Sequence, residues 1–512
     1  MFRCLPIFLA AVVCGAVTIE QHHPHDFDFR APVDGNPFDV ELTGEFRGPV
    51  GEVLRIPGFY DGDGVWKIRF SPPRVGSWSL RTASPHAALN GQVEAGIRCT
   101  PNTNPNIHGG LRVDPADPYH FVWEDGARYF LMGYECDWLW AIGMRDPERR
   151  EMRRFADQLA ARGFNHLILN VYAHDTTWNT GRQNQWDYGP PELFPWEGTN
   201  EQPDHSRLRP EFFRAYDRVI EYLRDKGIVA HLMIKVYNKL VNWPPPGSRD
   251  EERWFRYIAS RYQAYSNVVW DFSKEAYYEK DNELQKKLID LVRSVDAYHR
   301  LTTVHDDDAY DWDPVLSANL DFRSDQQHSH WAEMVAFDRA VRKRPVVNVE
   351  FGYERGVENL PTYRVMQDWQ EVLRRAWLIY LAGGYGVYYY SNTAWDLIKP
   401  EPEPPGYARF QLLKETLSAL PYWRMEPENR LAVEGPCLAL EGEAYACYAE
   451  GKRITVNLSR MAPGSTAEWI DTWTGAKQSA AIGRPGVQTI EKPKDFGEAP
   501  GLLVVRRAQG AR

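Results

Sequence analysis

Between about residues 110 and 425 the chain alternates, eight times over, between short β-rich apolar runs and longer stretches carrying a helical apolar stripe. The runs are RYFLMGYE (128–135), FNHLILNVY (164–172), IVAHLMIKVY (228–237), NVVWDFSKE (267–275), LTTVHDD (301–307), LDFRSDQQH (320–328), PVVNVEFG (345–352) and YGVYYYS (385–391). Helical patterns such as RDPERREMRRFADQLAARG, PEFFRAYDRVIEYLRDKG and DWQEVLRRAWLIYLAGG stand between them. Eight such units within roughly 300 residues have the length and period of a (β/α)8 TIM barrel, an α/β fold. A doubly wound open sheet is the competing arrangement, but neither G-x-G-x-x-G nor G-x-x-x-x-G-K-[ST] follows any run.

At 512 residues the chain is too long for one ordinary domain, and the pattern changes on both sides of the alternating stretch. From 18 to 108, short alternating segments broken by turn signals (DVELTGEF, GEVLRIPGFY, VWKIRFSP, GSWSLRTAS) predict an N-terminal β-sandwich. The DGDG at 61–64 has calcium-ligand residue types, yet the later oxygen ligands of a calcium loop are missing, so a hairpin turn is expected. The barrel is assigned to 109–425. From 426 to 512 the helical patterns stop, and AYACYAEGKRITVNLS, AEWIDTWTG and GLLVVRR predict a C-terminal β-sandwich.

Residues 1–17 place one arginine ahead of an apolar run that ends in small residues, the pattern of a secretory signal peptide. No later stretch approaches the ~20 apolar residues of a membrane span. The expected location is therefore secreted or periplasmic. There Cys437 and Cys447, across an expected hairpin, are a candidate disulfide, with buried free thiols as the alternative. The 60 basic side chains do not exceed the 70 acidic ones, which argues against a nucleic-acid partner. Nineteen tryptophans and 27 tyrosines offer flat faces for stacking on sugars, although large cores use the same residues.

A barrel presents its active site at the C-terminal ends of its strands. Two glutamates close apolar runs there, Glu275 the fourth and Glu350 the seventh. A carboxylate at the end of a buried run is costly unless it is paired or used. Two carboxylates facing each other across a cleft are what glycoside cleavage requires: one protonates the leaving oxygen, and the other attacks or activates water. A buried ion pair with a neighbouring Arg or Lys is the alternative for each.

Other strand-end residues are candidate carbohydrate contacts. Glu135 and Asp137 follow the first run, Tyr172 and His174 the second, and Lys235, Tyr237 and Asn238 the third. His305 with Asp306, Asp307 and Asp308 follows the fifth, and Gln327, His328 and His330 the sixth. The HDDD run has metal-ligand residue types, but consecutive residues cannot all face one ion, so no metal or other cofactor is expected. Trp138, Trp140, Trp178, Tyr389 and Trp395 are candidate stacking platforms, with core packing as the alternative for each. Arg355 would either steady the Glu350 charge or bridge to Glu354.

With these residues placed, the chain resembles the clan A retaining glycoside hydrolases, which carry an acid/base glutamate at the end of strand four and a nucleophilic glutamate at the end of strand seven. More narrowly, PGFYDGDGVWKIRFSP with GSW shortly after, the barrel, and a closing module containing WIDTWTG resemble the apiosidase-like group of secreted bacterial proteins. In that group the last module is of the collagen-binding type. The resemblance implies a secreted hydrolase of poly- or oligosaccharides acting by double displacement, with Glu275 as acid/base, Glu350 as nucleophile and no cofactor.

One position departs from the clan pattern. The usual asparagine before the acid/base, which bonds the sugar 2-OH, is Lys274 here, and a lysine beside a general acid favours its ionised form. Because adjacent strand residues point to opposite faces, Lys274 is expected either outside the barrel wall or in contact with a differently configured or anionic sugar. A non-catalytic carbohydrate-binding or adhesion protein, and a polysaccharide lyase with a Tyr or Lys base, are the competing functions.

Overall fold

The computed structural model describes residues 17–146, 148–176, 185–307, 319–356 and 366–507. Trp178, Asp308 and the expected leader, save Val17, lie outside them.

The chain opens on two facing sheets. Val17–Glu20, Val93–Thr100, Gly76–Ala83, Thr43–Arg47 and Val53–Pro57 form one, in that spatial order, and His25–Arg30, Val65–Phe70 and Phe59–Tyr60 form the other. Alternate side chains from both, among them Phe46, Trp78, Trp66 and Phe70, make the core between them. DGDG closes the hairpin between Phe59–Tyr60 and Val65–Phe70, with Gly62, Asp63 and Gly64 all at positive φ. Asp61 turns its carboxylate to Arg261 (2.8 Å) and Lys67 (3.3 Å).

The barrel follows. Its strands are β1 (Gly133–Glu135), β2 (His166–Asn170), β3 (Val229–Val236), β4 (Val268–Lys274), β5 (Thr302–Thr303 and His305–Asp306), β6 (Arg323–Asp325), β7 (Val346–Asn348) and β8 (Tyr385–Tyr390). All pair in parallel. β1 lies between β2 and β8, while the first segment of β5 pairs with β4 and the second with β6, so the sheet returns on itself.

Each of the eight apolar runs supplies one strand, with one change. The first run splits: Arg128–Tyr129 joins Leu111–Val113 and Phe121–Trp123 in a separate antiparallel sheet, and only Gly133–Glu135 enters the barrel. Gly133 packs so tightly on β8 that an added Cβ would lie 2.5 Å from the Val387 side chain.

Outside the strands lie helices α1 (Arg150–Ala161), α2 (Pro210–Asp225), α3 (Arg249–Tyr262), α4 (Asn282–Val295), α5 (Trp331–Val341), α6 (Trp369–Leu381) and α7 (Gly406–Ser418). α2 shows the logic: Phe212, Phe213, Tyr216, Val219, Ile220 and Leu223 form a buried stripe at helical spacing. Ser248 and Asp281 cap α3 and α4 by accepting from the N–H groups of Glu251 and Leu284. No helix among the described residues is long and apolar enough to cross a membrane.

A second sandwich ends the chain. Glu426–Pro427, Cys437–Leu440, Ala444–Ala449, Gly501–Arg506, Thr466–Asp471 and Lys477–Ala480 form one sheet, and Arg453–Asn457 with Val487–Glu491 the other. Tyr445, Ile454, Val456, Trp469 and Leu503 pack between them. Cys437 and Cys447 are register partners joined by a disulfide.

Candidate active site

The site is built at the C-terminal ends of the barrel strands. β4 ends at Lys274, and Glu275 then leaves the extended region for a left-handed conformation, φ 55° and ψ 51°. A residue with a Cβ adopts that conformation only under constraint. The reversal breaks strand alternation, so Lys274 and Glu275 both face the barrel mouth. Lys274 is therefore neither outside the wall nor free to meet a sugar anion. It is 1% exposed, and its ammonium bonds Glu135 and lies 3.6 Å from Asp137 and 3.5 Å from Glu350.

Glu350 stands two residues beyond β7. Its N–H donates to Asn348 Oδ1 (3.2 Å), which also accepts from the Gln327 N–H (3.4 Å), while Asn348 Nδ2 donates back to the Gln327 carbonyl (3.2 Å). Around its carboxylate lie His305 Nε2 (3.6 Å) and His328 Nε2 (3.8 Å). Burial, reinforced by the Lys274 charge, holds the His305 pKa well below the usual imidazole range, so this ring is neutral.

Glu275 accepts a hydrogen bond from Asn238 Nδ2, and Asn238 Oδ1 accepts in turn from the Lys239 ammonium (2.8 Å). Burial raises the Glu275 pKa and the Glu350 charge adds to it, against opposition from Lys239 and Lys274. Burial also raises Glu350, with Lys274 and Lys239 pulling it back. Glu135 is pushed well up, again by burial first. Burial acts on Asp137 in the same sense, but Lys274, Lys239 and the Tyr389 hydroxyl at 2.5 Å overcome it and hold this one acid below the usual range.

Beside Glu350 an aromatic wall forms. The Tyr353 ring lies 4.7 Å from Tyr389, 5.6 Å from Trp395 and 6.0 Å from His328. Beneath the mouth a buried chain runs from His166 to His231 (2.9 Å) and on to Asp271 (2.8 Å). Asp271 Oδ1 accepts from the N–H groups of His305 (3.0 Å) and Ser273 (3.1 Å), which fixes the ends of β4 and β5 relative to each other. Asp306, fully buried on β5, has its pKa raised to about 8 by burial against the pull of Arg323.

The structure thus gathers Glu135, Asp137, Asn238, Lys274, Glu275, His305, His328, Glu350, Tyr389 and Trp395. Other expected residues stand elsewhere. Lys235 donates to Glu251 of α3 (2.7 Å). Tyr172 is packed among Trp140, Trp196 and Phe212, its hydroxyl bonded to Asn200. Trp138 is wholly buried and Trp140 donates to Asn170 (2.7 Å). His174 is half-buried, with its N–H on the Leu240 carbonyl (3.1 Å), and the half-buried Tyr237 reaches Glu279 (3.4 Å). The Gln327 side chain donates to Asp325 (3.3 Å). Arg355 pairs with Asp368 (3.4 Å), while Glu354 is buried against the Tyr388 hydroxyl (2.7 Å) and the Gly406 N–H (3.1 Å).

Sequence reasoning missed Lys239, Asn348, Tyr277 and Tyr353. Asn348 shares a strand face with Glu350 through the two-residue period, which is a readable signal. Lys239 sits past the end of β3, where no periodicity marks it. Among the described residues, no group of three or more His, Cys, Asp or Glu side chains is arranged to hold a metal ion. Two carboxyls at one mouth, one beside an ammonium that favours its charged form and both raised by burial, are the groups that proton donation and attack on an electrophilic carbon require.

A family model described as "Apiosidase-like, catalytic domain" matches residues 116–432, and one for a domain of unknown function, DUF5060, matches 18–85. No curated protein matches the chain. Among solved structures, a proposed glycoside hydrolase from Bacteroides vulgatus ATCC 8482 aligns with a TM-score of 0.75 at 21% identity, covering 96% of this chain and 100% of that one. A family 5 glycoside hydrolase from the same organism aligns at 0.62 and 17% identity, covering 79% and 95%. These likenesses show the fold.

Proposed function

The chain belongs to the apiosidase-like family, and from that premise we propose a glycoside hydrolase in which Glu350 is the nucleophile and Glu275 the acid/base of a double displacement. Glu350 attacks the anomeric carbon as the bond to the leaving oxygen breaks, and the Glu275 proton passes to that oxygen. Glu275, now ionised, then takes a proton from water; the water oxygen attacks the anomeric carbon and releases the Glu350 carboxylate.

The observation that carries this reading is the convergence of Glu275 and Glu350 on one buried mouth with unequal neighbours. Glu350 lies 3.5 Å from the Lys274 ammonium, which favours the charged form that attack needs. Glu275 has the Asn238 amide at hydrogen-bonding range, and burial raises its pKa, the direction a general acid needs. Lys274 thus serves the nucleophile and need not disable the acid. The exposed His328, 3.8 Å from Glu350, would bond a sugar hydroxyl, while the buried Glu135, Asp137 and His305 would set the charge and position of Lys274 and Glu350. The leader pattern of residues 1–17 supports an exported enzyme acting on a poly- or oligosaccharide, and the family name makes an apiose-containing glycan the first substrate to test.

Reducing-sugar release from apiose-containing pectin and other plant and algal polysaccharides, compared among the parent, Glu350→Ala and Glu275→Gln, tests the proposal. Release by the parent and its collapse in both variants is expected. Equal release by all three contradicts the assignment of the pair, and release by none favours a carbohydrate-binding protein without turnover.

A further inference from the structure

Of all the described Phe, Trp and Tyr side chains, only Tyr278 is exposed, at 57%, and it lies three residues past Glu275. Its backbone is not loose. Ala276–Tyr278 forms a 3-10 turn in which the Tyr278 N–H donates to the Glu275 carbonyl (3.1 Å) and the Glu279 N–H to the Ala276 carbonyl (2.9 Å). From behind, the buried Gln285 of α4 donates to the carbonyls of Ala276 (3.5 Å) and Glu279 (3.2 Å). Tyr277 completes the surface. Its ring centroid is 4.9 Å from that of Tyr278 with 31° between the planes.

Every other described Phe, Trp and Tyr is buried or half-buried, whereas this ring is held in water on an already ordered turn beside Glu275, and an apolar ring face gains by being covered. We propose that Tyr277 and Tyr278 form the leaving-group subsite, a platform on which the departing sugar lays its C–H face. The side follows from connectivity. Glu275 delivers its proton to the leaving oxygen, and the tyrosines adjoin Glu275, whereas the Tyr353, Tyr389 and Trp395 wall adjoins Glu350. This inference rests on Glu275 being the general acid. Tyr278 selects for a ring beyond the scissile bond.

Saturation-transfer NMR of a plant cell-wall oligosaccharide digest with the full chain carrying Glu275→Gln reads binding without turnover. We expect transfer to sugar C–H protons, at least a fivefold loss when Tyr278→Ala is added, and recovery with Tyr278→Trp. Equal transfer with and without the Tyr278 ring, or none in either, overturns the platform. Turnover by the parent is scored separately. Hydrolysis with transfer unaffected by Tyr278→Ala sinks the platform alone. Loss of transfer in a chain whose parent hydrolyses nothing removes the leaving-group assignment together with the hydrolase reading and leaves a sugar-binding face.

Discussion

Two of the buried charge clusters among the described residues are built on opposite plans. Where the N-terminal sandwich meets the barrel, Arg261 of α3 bonds Asp217 of α2 through Nε (2.9 Å) and Nη2 (2.7 Å) and reaches Asp61 (2.8 Å). Arg69 joins Asp26 (2.7 and 3.0 Å) to the same Asp217 (3.0 Å). Every acid there meets a guanidinium fork or a lysine. Burial opposes the charges, yet the arginines hold Asp26 and Asp217 below the usual carboxylate range, and the aspartates hold Arg69 and Arg261 above theirs. At the barrel mouth, four carboxyls (Glu135, Asp137, Glu275 and Glu350) share the ammonium groups of Lys274 and Lys239, and burial wins at three of them. One cluster is held toward its charged state; in the other, burial pushes three of the four acids upward. Buried charge alone therefore does not mark a reactive site. An excess of acids over fork-shaped cations is what sets the barrel-mouth cluster apart.

The contrast is sharpest when each cluster is broken in turn. Glu275→Gln should lower kcat by about 10²–10⁴-fold, the range for loss of a general acid, while thermal unfolding shows stability held or increased because a neutral amide replaces an acid whose charged form burial disfavours. Arg261→Met should do the reverse. With Asp217 left to Arg69 and Asp61 to Lys67, the loss is up to about 3–5 kcal/mol, read by chemical denaturation of the full chain. A stability loss in Glu275→Gln as large as that in Arg261→Met would erase the distinction.

A subtler effect is expected from Lys274→Met. Activity needs Glu350 ionised and Glu275 protonated, so its acid limb follows Glu350. Removing the ammonium 3.5 Å away leaves burial less opposed and moves that limb to higher pH by about 1–3 units. An unmoved limb in the kcat/KM profile contradicts the role given to Lys274. The smallest effect belongs to Asp306. Its folded pKa of about 8 lies above the unfolded value of about 3.9, so its contribution to stability is complete below about pH 4 and is lost as pH rises through 8. Asp306→Asn should raise Tm by a few degrees at pH 8 and leave it unchanged at pH 4; a lower Tm at pH 8 would mean that the ionised form has a partner.

The sequence makes the barrel legible because its apolar runs and helical stripes differ in period. It does so less well where the stripe is weak. The α5 helix buries little beyond Val335, Asp338 and Arg339, and no helix is readable there. Glu275 and Glu350 stand out as acids at the ends of apolar runs, and the structure brings both to one mouth. Lys274 defies strand alternation because the very next residue leaves the extended region, an event of backbone conformation that composition does not announce. Lys235, Tyr172 and Trp138 show the complementary limit: a polar or aromatic residue near a strand end can serve helix packing as readily as a cleft, and only Glu251, Asn200 and the surrounding core distinguish the two.

The roles of the two glutamates are tested most directly by the anomeric configuration of the product formed when azide rescues each truncation. The account predicts that Glu350→Ala with azide yields a glycosyl azide of inverted configuration, azide taking the place of the attacking carboxylate, and that Glu275→Ala yields one of retained configuration, azide attacking the covalent intermediate. The same configuration from both variants, or rescue of neither, would contradict it.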